Sequence, residues 1–185
     1  MNIWKILSSR ERVETLEYIL EREVVGVEEV ATSLKRSKGF VSQFLRLLEE
    51  ERILKKQKRK YAVLHEAPEL RAIKIMLNII KLQTSLAKHR REWMASLGVY
   101  GGYSRGTNRE DIDIDIWIRV EKHPGEKEVA RVEKDLSNEL GKQVHILILT
   151  PERIARLREN DPIFYCELVN SFVMWGEGNE ACGSV

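Results

Sequence analysis

The sequence has few of the features that mark secreted, membrane or metal-cluster proteins. It contains only two cysteines, Cys166 and Cys182, which lie far apart and have no second pair with which to form a metal site. No apolar run approaches the roughly 20 residues of a membrane-spanning helix. The segment Met1–Leu7 is too short for a signal peptide and is soon followed by charged residues. We therefore expect a cytoplasmic protein that makes no contact with a membrane.

The overall composition lacks a strong charge of either sign. Of the 185 residues 43% are hydrophobic and 32% are charged, which is typical of a folded globular protein, and the formal net charge is only +2. The length allows one large domain or two small ones. A preference for nucleic acid would therefore have to come from local clustering of basic residues.

Acidic and apolar residues alternate from Asp111 onward. The alternation predicts a half-buried strand whose isoleucines face a core, while Asp111, Asp113 and Asp115 share the opposite face. Carboxylates two residues apart on a strand lie about 7 Å apart and repel each other unless a cation lies between them. Mg²⁺, which prefers oxygen ligands, is the natural partner. The alternative is an edge strand whose acidic face lies in solvent.

A glycine-rich turn precedes this strand. Gly101, Gly102 and Gly106 fall within six residues, and such turns allow close approach of backbone N–H groups to a phosphate. A phosphate-binding turn followed by a carboxylate pair is typical of phosphoryl or nucleotidyl transfer assisted by metal ions.

These residues resemble the minimal nucleotidyltransferases of the DNA polymerase beta-like superfamily, in their antitoxin-type branch. The motif segments are Tyr100-Gly101-Gly102, Ser104-Arg105-Gly106 and Asp113-Ile114-Asp115, and the resemblance covers about residues 85 to 176. It implies Asp113 and Asp115 as catalytic and metal-binding residues. It also implies a nucleotide site at Gly101, Gly102, Ser104, Arg105 and Gly106. The expected cofactor is Mg²⁺ or Mn²⁺, the expected ligand or substrate is a nucleoside triphosphate, and the expected protein partner is a HEPN-type toxin.

Two positions depart from the family motif. Gly102 stands where the family has a serine, and His145 stands where a third carboxylate is expected, on a predicted strand over residues 143 to 149. As a metal ligand, His145 would suit a transition metal better than Mg²⁺. It could instead be a structural residue that forms hydrogen bonds within a site without a metal.

The N-terminal third has the order of a winged helix-turn-helix. Apolar periodicity predicts helices over residues 9–22, 27–34 and 38–51, and short strands over 53–56 and 61–63 around a basic tip at 57–60. The stretch from about residue 8 to 64 resembles the winged-helix DNA-binding domains of archaeal and bacterial regulators.

Basic residues concentrate in this region. Between residues 35 and 60 there are ten lysines and arginines against three glutamates, a patch that suits binding to double-stranded DNA. The candidate DNA-binding residues are Lys38, Ser42, Gln43 and Arg46 on the third helix and Lys58, Arg59 and Lys60 at the tip. The alternatives are a protein–protein or dimerisation module, or a merely solvated basic face.

The predicted fold class is α/β (α+β), with a winged helix-turn-helix followed by a nucleotidyltransferase-fold domain. We expect three segments: a DNA-binding domain over 1–66, a linker or dimerisation helix over 67–84, and a nucleotidyltransferase-like domain over 85–185. The helix over 69–83 is apolar on more than one face, which favours a homodimer. Another helix is expected over 85–97, and all helices of the last segment are expected on one side of a small mixed sheet.

Three functions are compatible with these features. The first is a DNA-binding protein that transfers a nucleotide to a hydroxyl acceptor. The second is a transcriptional regulator whose nucleotidyltransferase domain is catalytically degenerate and serves nucleotide sensing or assembly, which Gly102 and His145 favour. The third is a structural dimer module without a ligand. They differ in whether a nucleotide binds and in whether it is turned over.

Overall fold

The computed structural model describes residues 1–179, which form two compact units. The first unit comprises Met1–Lys74 together with Thr107–Asp111, and the second comprises Ile75–Gly106 and the chain from Ile112 onward. The division falls inside a single helix, α5 (Pro68–Lys88). The domain boundaries expected from sequence remain predictions. Part of the tail expected to be loose, residues 180–185, lies outside the described residues.

The first unit contains four helices before α5 and a small sheet. In chain order these elements are α1 (Ile3–Ile6), α2 (Arg10–Leu20), β1 (Val24–Val25), α3 (Val27–Ser33), α4 (Lys38–Glu50), β2 (Leu54–Gln57) and β3 (Lys60–Val63). The strand order is β1-β3-β2, antiparallel throughout. The three predicted helices and the hairpin are all present. Both α1 and β1 were missed because four and two residues are too short to show a periodicity.

Local sequence explains where the helices of this unit begin. Ser9 and Ser37 precede α2 and α4, and their hydroxyls accept hydrogen bonds from the backbone N–H groups of Arg12 and Phe40, so each caps a helix N-terminus. The apolar stripes of α2, α3 and α4 then form the core of the unit. Its fully buried members include Leu16, Ile19, Val30, Val41, Leu45 and Leu48.

The segment Thr107–Asp111 is bound to the first unit by its polar groups. Arg22 pairs with Glu110 at 2.6 Å, and Arg109 pairs with Glu23 at 2.7 Å. The buried ammonium of Lys74 donates to the carbonyl oxygens of Leu20 and Asn108. In the chain this segment connects the glycine-rich turn to the aspartate strand.

The second unit is built on a four-stranded mixed sheet. After α5 its elements are β4 (Ser96–Tyr100), α6 (Gly101–Arg105), β5 (Ile114–Arg119), α7 (Glu126–Leu140), β6 (Val144–Leu149), α8 (Pro151–Asn160), α9 (Pro162–Val169) and β7 (Phe172–Trp175). The strand order is β6-β5-β4-β7, with β5 parallel to β6 and the other pairs antiparallel. The predicted mixed α/β architecture is therefore confirmed.

Helices cover both faces of this sheet, contrary to the one-sided arrangement expected from sequence. Ile114, Ile116 and Ile118 pack in one core with side chains of α5 and α7. Trp117, on the opposite face of β5, packs in a second core with Leu168 of α9 and side chains of α8. The periodicity of each helix showed that it has a buried side but could not show which face of the sheet it meets.

Two further expectations in this unit are wrong. The helix predicted over 85–97 does not exist, because α5 continues to Lys88 and β4 begins at Ser96. The aspartate strand is also shorter than the alternation suggested: β5 begins at Ile114. Asp111 and Asp113 therefore precede the strand, and Asp111 belongs to the first unit.

Candidate functional site

The glycine turn and the aspartate strand meet at one edge of the second unit. β4 ends at Tyr100, and Gly101 opens the short helix α6 with a positive φ of 67°. A Cβ atom at Gly101 would lie 2.4 Å from Oδ2 of Asp115. Glycine is therefore required here for two reasons, the backbone conformation and the space. The carboxylate of Asp115 lies directly against the turn.

Asp115 is the motif carboxylate that lies within the sheet. It is half-buried within β5, in register with Tyr100 on one side and His145 on the other. Burial raises the pKa of Asp115 above its ordinary value, and the negative charges of Asp113 and Glu167 raise it further. A cation would relieve this accumulation of negative charge.

His145 lies on the same side of the sheet as the carboxylates, as expected. Its Nε2 atom is 3.0 Å from Oδ2 of Asp113, and both side chains are about half exposed. In the structure His145 is thus a hydrogen-bonding partner of the motif aspartate. This contact suits the structural interpretation of His145 and leaves its other ring nitrogen available to a ligand.

The polar side chains of α6 are already engaged. The Ser104 hydroxyl donates to the Gly101 carbonyl at 3.0 Å, and the Arg105 guanidinium forms an ion pair with Glu167 of α9. Gly106 ends the helix in a left-handed conformation with φ of 66°. Gly102 contributes no side chain, so the turn offers a ligand its backbone and the Arg105 charge.

Sequence reasoning missed two residues of this site. Tyr100 is half-buried, and its ring meets that of Phe164 edge-on at 5.8 Å between centroids. Burial, with the charge of Asp115 second, raises its pKa to about 12, so it stays a neutral phenol. Glu167 had no signal in the sequence, because α9 reaches the site only through packing. The position of Tyr100 directly before the glycine turn could have placed it at the site.

The carboxylates at the site suit a divalent cation that is held partly by the protein and partly by the phosphates of a bound substrate. Within residues 1–179 no group of three or more His, Cys, Asp or Glu side chains forms a metal cluster. Mg²⁺, however, is usually held by one or two carboxylates together with water and substrate phosphates. Asp113 and Asp115 provide such a pair, and the pKa of Asp115 is raised first by burial and then by the neighbouring carboxylates of Asp113 and Glu167, against the lowering effects of His145 and Arg105.

A second candidate surface lies on the first unit. Lys38, Gln43 and Arg46 of α4 are exposed and Ser42 is half-exposed, on the side of the helix away from the buried stripe. Lys38 pairs with Glu28 at 2.6 Å. At the hairpin, Gln57 pairs with Lys60, so Lys58 and Arg59 form a two-residue turn at the exposed tip.

Comparison with known proteins finds similarity to nucleotidyltransferases. A family model described as "Nucleotidyltransferase domain" matches residues 79–169. A protein named "Protein adenylyltransferase MntA" from Thermococcus cleftensis is 30% identical over 78 residues, which cover 40% of this chain and 79% of that protein.

Two solved structures are also similar. A chain in a crystal structure of a toxin–antitoxin complex with AMP-PNP has a TM-score of 0.41 at 20% identity, covering 54% of this chain and 74% of that one. A chain in the structure of tri-AMPylated Shewanella oneidensis HEPN toxin with MNT antitoxin has a TM-score of 0.38 at 18% identity, covering 56% and 73%. Among the described residues, no helix is long and apolar enough to span a membrane.

Proposed function

The chain belongs to the nucleotidyltransferase family, and from this premise we propose that its second unit binds a nucleoside triphosphate with Mg²⁺ and transfers the nucleotide to a hydroxyl acceptor. The observation that carries this proposal is the position of Asp115, whose carboxylate lies against Gly101 with Asp113 two residues before it. A phosphate bound at the turn would thus lie beside both carboxylates.

Each residue has a role in this reaction. Asp113 and Asp115 would hold Mg²⁺, or Mn²⁺, and the turn from Gly101 to Gly106 would bind the β and γ phosphates through its backbone. Arg105 would offset negative charge on the phosphates. The bound ion would polarise the phosphate and activate the attacking oxygen. The acceptor oxygen forms a bond to the α-phosphorus, the bond to the bridging oxygen breaks, and pyrophosphate leaves.

A protein is the acceptor we favour. The related MntA is named a protein adenylyltransferase, and the resemblance to antitoxin-type nucleotidyltransferases implies a HEPN-type toxin as partner. On this basis ATP is the donor and a hydroxyl side chain of the partner accepts AMP. The preference for ATP rests on the name of this relative.

Calorimetric titration tests the nucleotide site. ATP, GTP, CTP and UTP are titrated into the full chain with Mg²⁺ and then with Mn²⁺, and again into Asp113→Ala/Asp115→Ala. We expect metal-dependent binding of at least one nucleotide that the double variant loses. If the wild-type chain binds none of them with either metal, the proposed nucleotide site is wrong.

A degenerate nucleotidyltransferase that senses a nucleotide is the second candidate function. Two observations favour it: Gly102 has no hydroxyl for a phosphate, and the third carboxylate is replaced by His145, which bonds to Asp113. The two functions differ in turnover. Release of pyrophosphate, or a gain of one nucleotide mass by a HEPN-type partner, supports transfer, whereas binding without either supports sensing.

We also propose that the first unit is a winged helix-turn-helix that binds double-stranded DNA. The order α2-β1-α3-α4 followed by the β2–β3 hairpin supports this assignment, as does the exposed polar side of α4. In this arrangement α4 would enter the major groove and the tip at Lys58–Lys60 would contact the phosphate backbone. Such binding would make the chain a regulator of transcription.

Salt dependence tests this second proposal. Binding to random duplex DNA is measured by fluorescence anisotropy from 50 to 300 mM salt, and we expect the affinity to fall steeply because bound cations are released from the phosphates. Absence of binding at low salt, or an affinity indifferent to salt, would favour the protein-interaction alternative.

The same chain is proposed to form a homodimer through α5. Ile80 on this helix is 59% exposed, and Ile75, Met76 and Ile79 are only half-buried, so apolar surface of α5 remains accessible to a partner. Light scattering that gives a monomeric mass would refute this assembly.

A further inference from the structure

Glu167 is a residue of the nucleotide site that no motif assigns. Its carboxylate forms an ion pair with Arg105, the only charged side chain in the glycine turn. The two residues are 62 positions apart in the chain. The contact therefore exists only because α9 packs beside the turn.

The two partners differ in how firmly they are held. Glu167 lies in α9, whose neighbouring side chains are anchored: Phe164 packs on Tyr100, and Leu168 is buried beside Trp117. The Glu167 side chain is 32% exposed, whereas the Arg105 side chain is 58% exposed. Of the two, Arg105 is the one that can turn toward a ligand.

Charge at the site opposes a free nucleotide. Asp113, Asp115 and Glu167 together present three carboxylates, and the charge of Glu167 reaches both Asp115 and Tyr100. Arg105, the cation that could attract a phosphate, is paired with one of these carboxylates. A triphosphate without a metal ion would meet repulsion and would have to replace Glu167 as the partner of Arg105.

We propose that Glu167 is a positioning residue that holds Arg105 until a nucleotide arrives together with its cation. The cation binds the two aspartates and cancels much of the negative charge, after which a phosphate oxygen replaces the Glu167 carboxylate at Arg105. Glu167 thereby makes nucleotide binding depend on the metal and selects the metal–nucleotide complex over the free nucleotide. This inference rests on the nucleotide binding proposed above.

The test measures ATP affinity of the full chain by calorimetry, with EDTA and with Mg²⁺, for the wild type and Glu167→Gln. Glutamine keeps the length and removes the charge. We expect Glu167→Gln to tighten binding of metal-free ATP about tenfold, which corresponds to about 1.4 kcal/mol. The gain with Mg²⁺ should be smaller, because the ion already offsets the charge.

Four further variants separate the role of Glu167 from a general effect. The double variant Arg105→Gln/Glu167→Gln is compared with Arg105→Gln alone. Here the gain in affinity for metal-free ATP should be largely absent, since both substitutions act through one contact. Glu167→Asp keeps the charge but shortens the side chain, so it should release Arg105 and give a smaller gain than glutamine. Glu159→Gln, at an exposed position of α8, should change nothing. Thermal unfolding of each variant checks that the fold is retained.

The possible outcomes are distinct. Equal affinities of wild type and Glu167→Gln in both EDTA and Mg²⁺ overturn the role of Glu167 while leaving the nucleotide site in place. If Glu167→Gln tightens ATP binding equally in the Arg105→Gln background, the proposed replacement of Glu167 by a phosphate at Arg105 is wrong. If neither wild type nor Glu167→Gln binds ATP with or without metal, the nucleotide site itself is refuted and this inference with it.

Discussion

The basic surface of the first unit and the proposed nucleotide site of the second differ in how their charges are satisfied. Within residues 1–179, Arg46, Lys58, Arg59 and Lys60 form no ion pair, and only Lys38 among the candidate DNA-binding cations has a carboxylate partner. At the nucleotide site, Asp113 is bonded to His145 and Arg105 to Glu167. One surface has cations open to any polyanion, and the other has a single arginine, Arg105, that a ligand must take from its carboxylate partner.

This difference has consequences for selectivity. Cationic side chains without an ion-pair partner bind phosphate by releasing counterions. The resulting affinity depends strongly on the salt concentration and only weakly on the identity of the ligand. A site whose charges are paired admits only a ligand that supplies better partners than those it displaces. We therefore expect weak discrimination at the basic surface, apart from contacts of α4 with base edges, and strong dependence on the metal at the nucleotide site.

The largest expected effect comes from a substitution at Gly101, which tests how closely the turn packs against Asp115 in the proposed nucleotide site. Gly101→Ala places a methyl group against Oδ2 of Asp115 in a backbone conformation with positive φ. We expect a loss of about 2–4 kcal/mol in the free energy of unfolding and loss of nucleotide binding. Urea unfolding and calorimetry measure the two effects.

Gly141 provides the matched control for that substitution. It has nearly the same φ, 65°, but nothing lies within 4 Å of the position a Cβ would take. Gly141→Ala should therefore cost only the conformational part, about 1–2 kcal/mol, and leave nucleotide binding intact. Equal costs at both glycines would show that the contact between Gly101 and Asp115 is not tight.

The next largest effect concerns the basic surface of the first unit. Replacing Lys58, Arg59 and Lys60 by alanine should weaken DNA binding and reduce the slope of log affinity against log salt by up to about 2.7, if each side chain neutralises one phosphate. Stability should barely change, because all three side chains are exposed. Anisotropy titrations at several salt concentrations give the slope.

The control for the hairpin tip removes three positive charges from a different surface. Lys127, Arg131 and Lys134 are exposed on α7 of the second unit, and their replacement by alanine should leave the slope unchanged. If both triple variants reduce the slope equally, DNA binding is spread over the whole chain, and the contrast between the two regions is lost.

The smallest effect is a dependence of stability on pH in the first unit. His65 is buried, with Nε2 2.9 Å from the carbonyl oxygen of Arg22. Burial, and next the positive charge of Arg109, lower its pKa below the ordinary 6.5. The unfolded chain therefore takes up a proton first as pH falls through 6.5, so stability decreases below that pH, by at most about 1.4 kcal/mol per pH unit.

Unfolding measured between pH 5 and 8 checks this effect. His65→Gln should remove this part of the pH dependence, and His123→Gln, at an exposed histidine, should retain it. An unchanged pH profile in His65→Gln would mean that another group titrates and that burial of His65 is not the cause.

Much of the fold followed from short-range patterns. The serine caps of α2 and α4, the Thr150-Pro151 start of α8 and the αL glycine that ends α7 are local signals, and each lies at a helix boundary of the structure. The helix predicted after residue 85 failed because its apolar residues belong partly to the end of α5 and partly to β4. Helix and strand cannot be told apart by periodicity where an element changes within a few residues.

The sequence alone determined the motif of the nucleotide site and the basic character of the first unit, because glycine spacing, alternating aspartates and clustered lysines are local properties of the chain. Only the tertiary structure decided what these residues contact. His145 meets Asp113 across 32 positions and Glu167 meets Arg105 across 62. Such pairings depend on which strands become neighbours and on which face of the sheet a helix packs, and both are set by the burial of apolar surface over the whole unit.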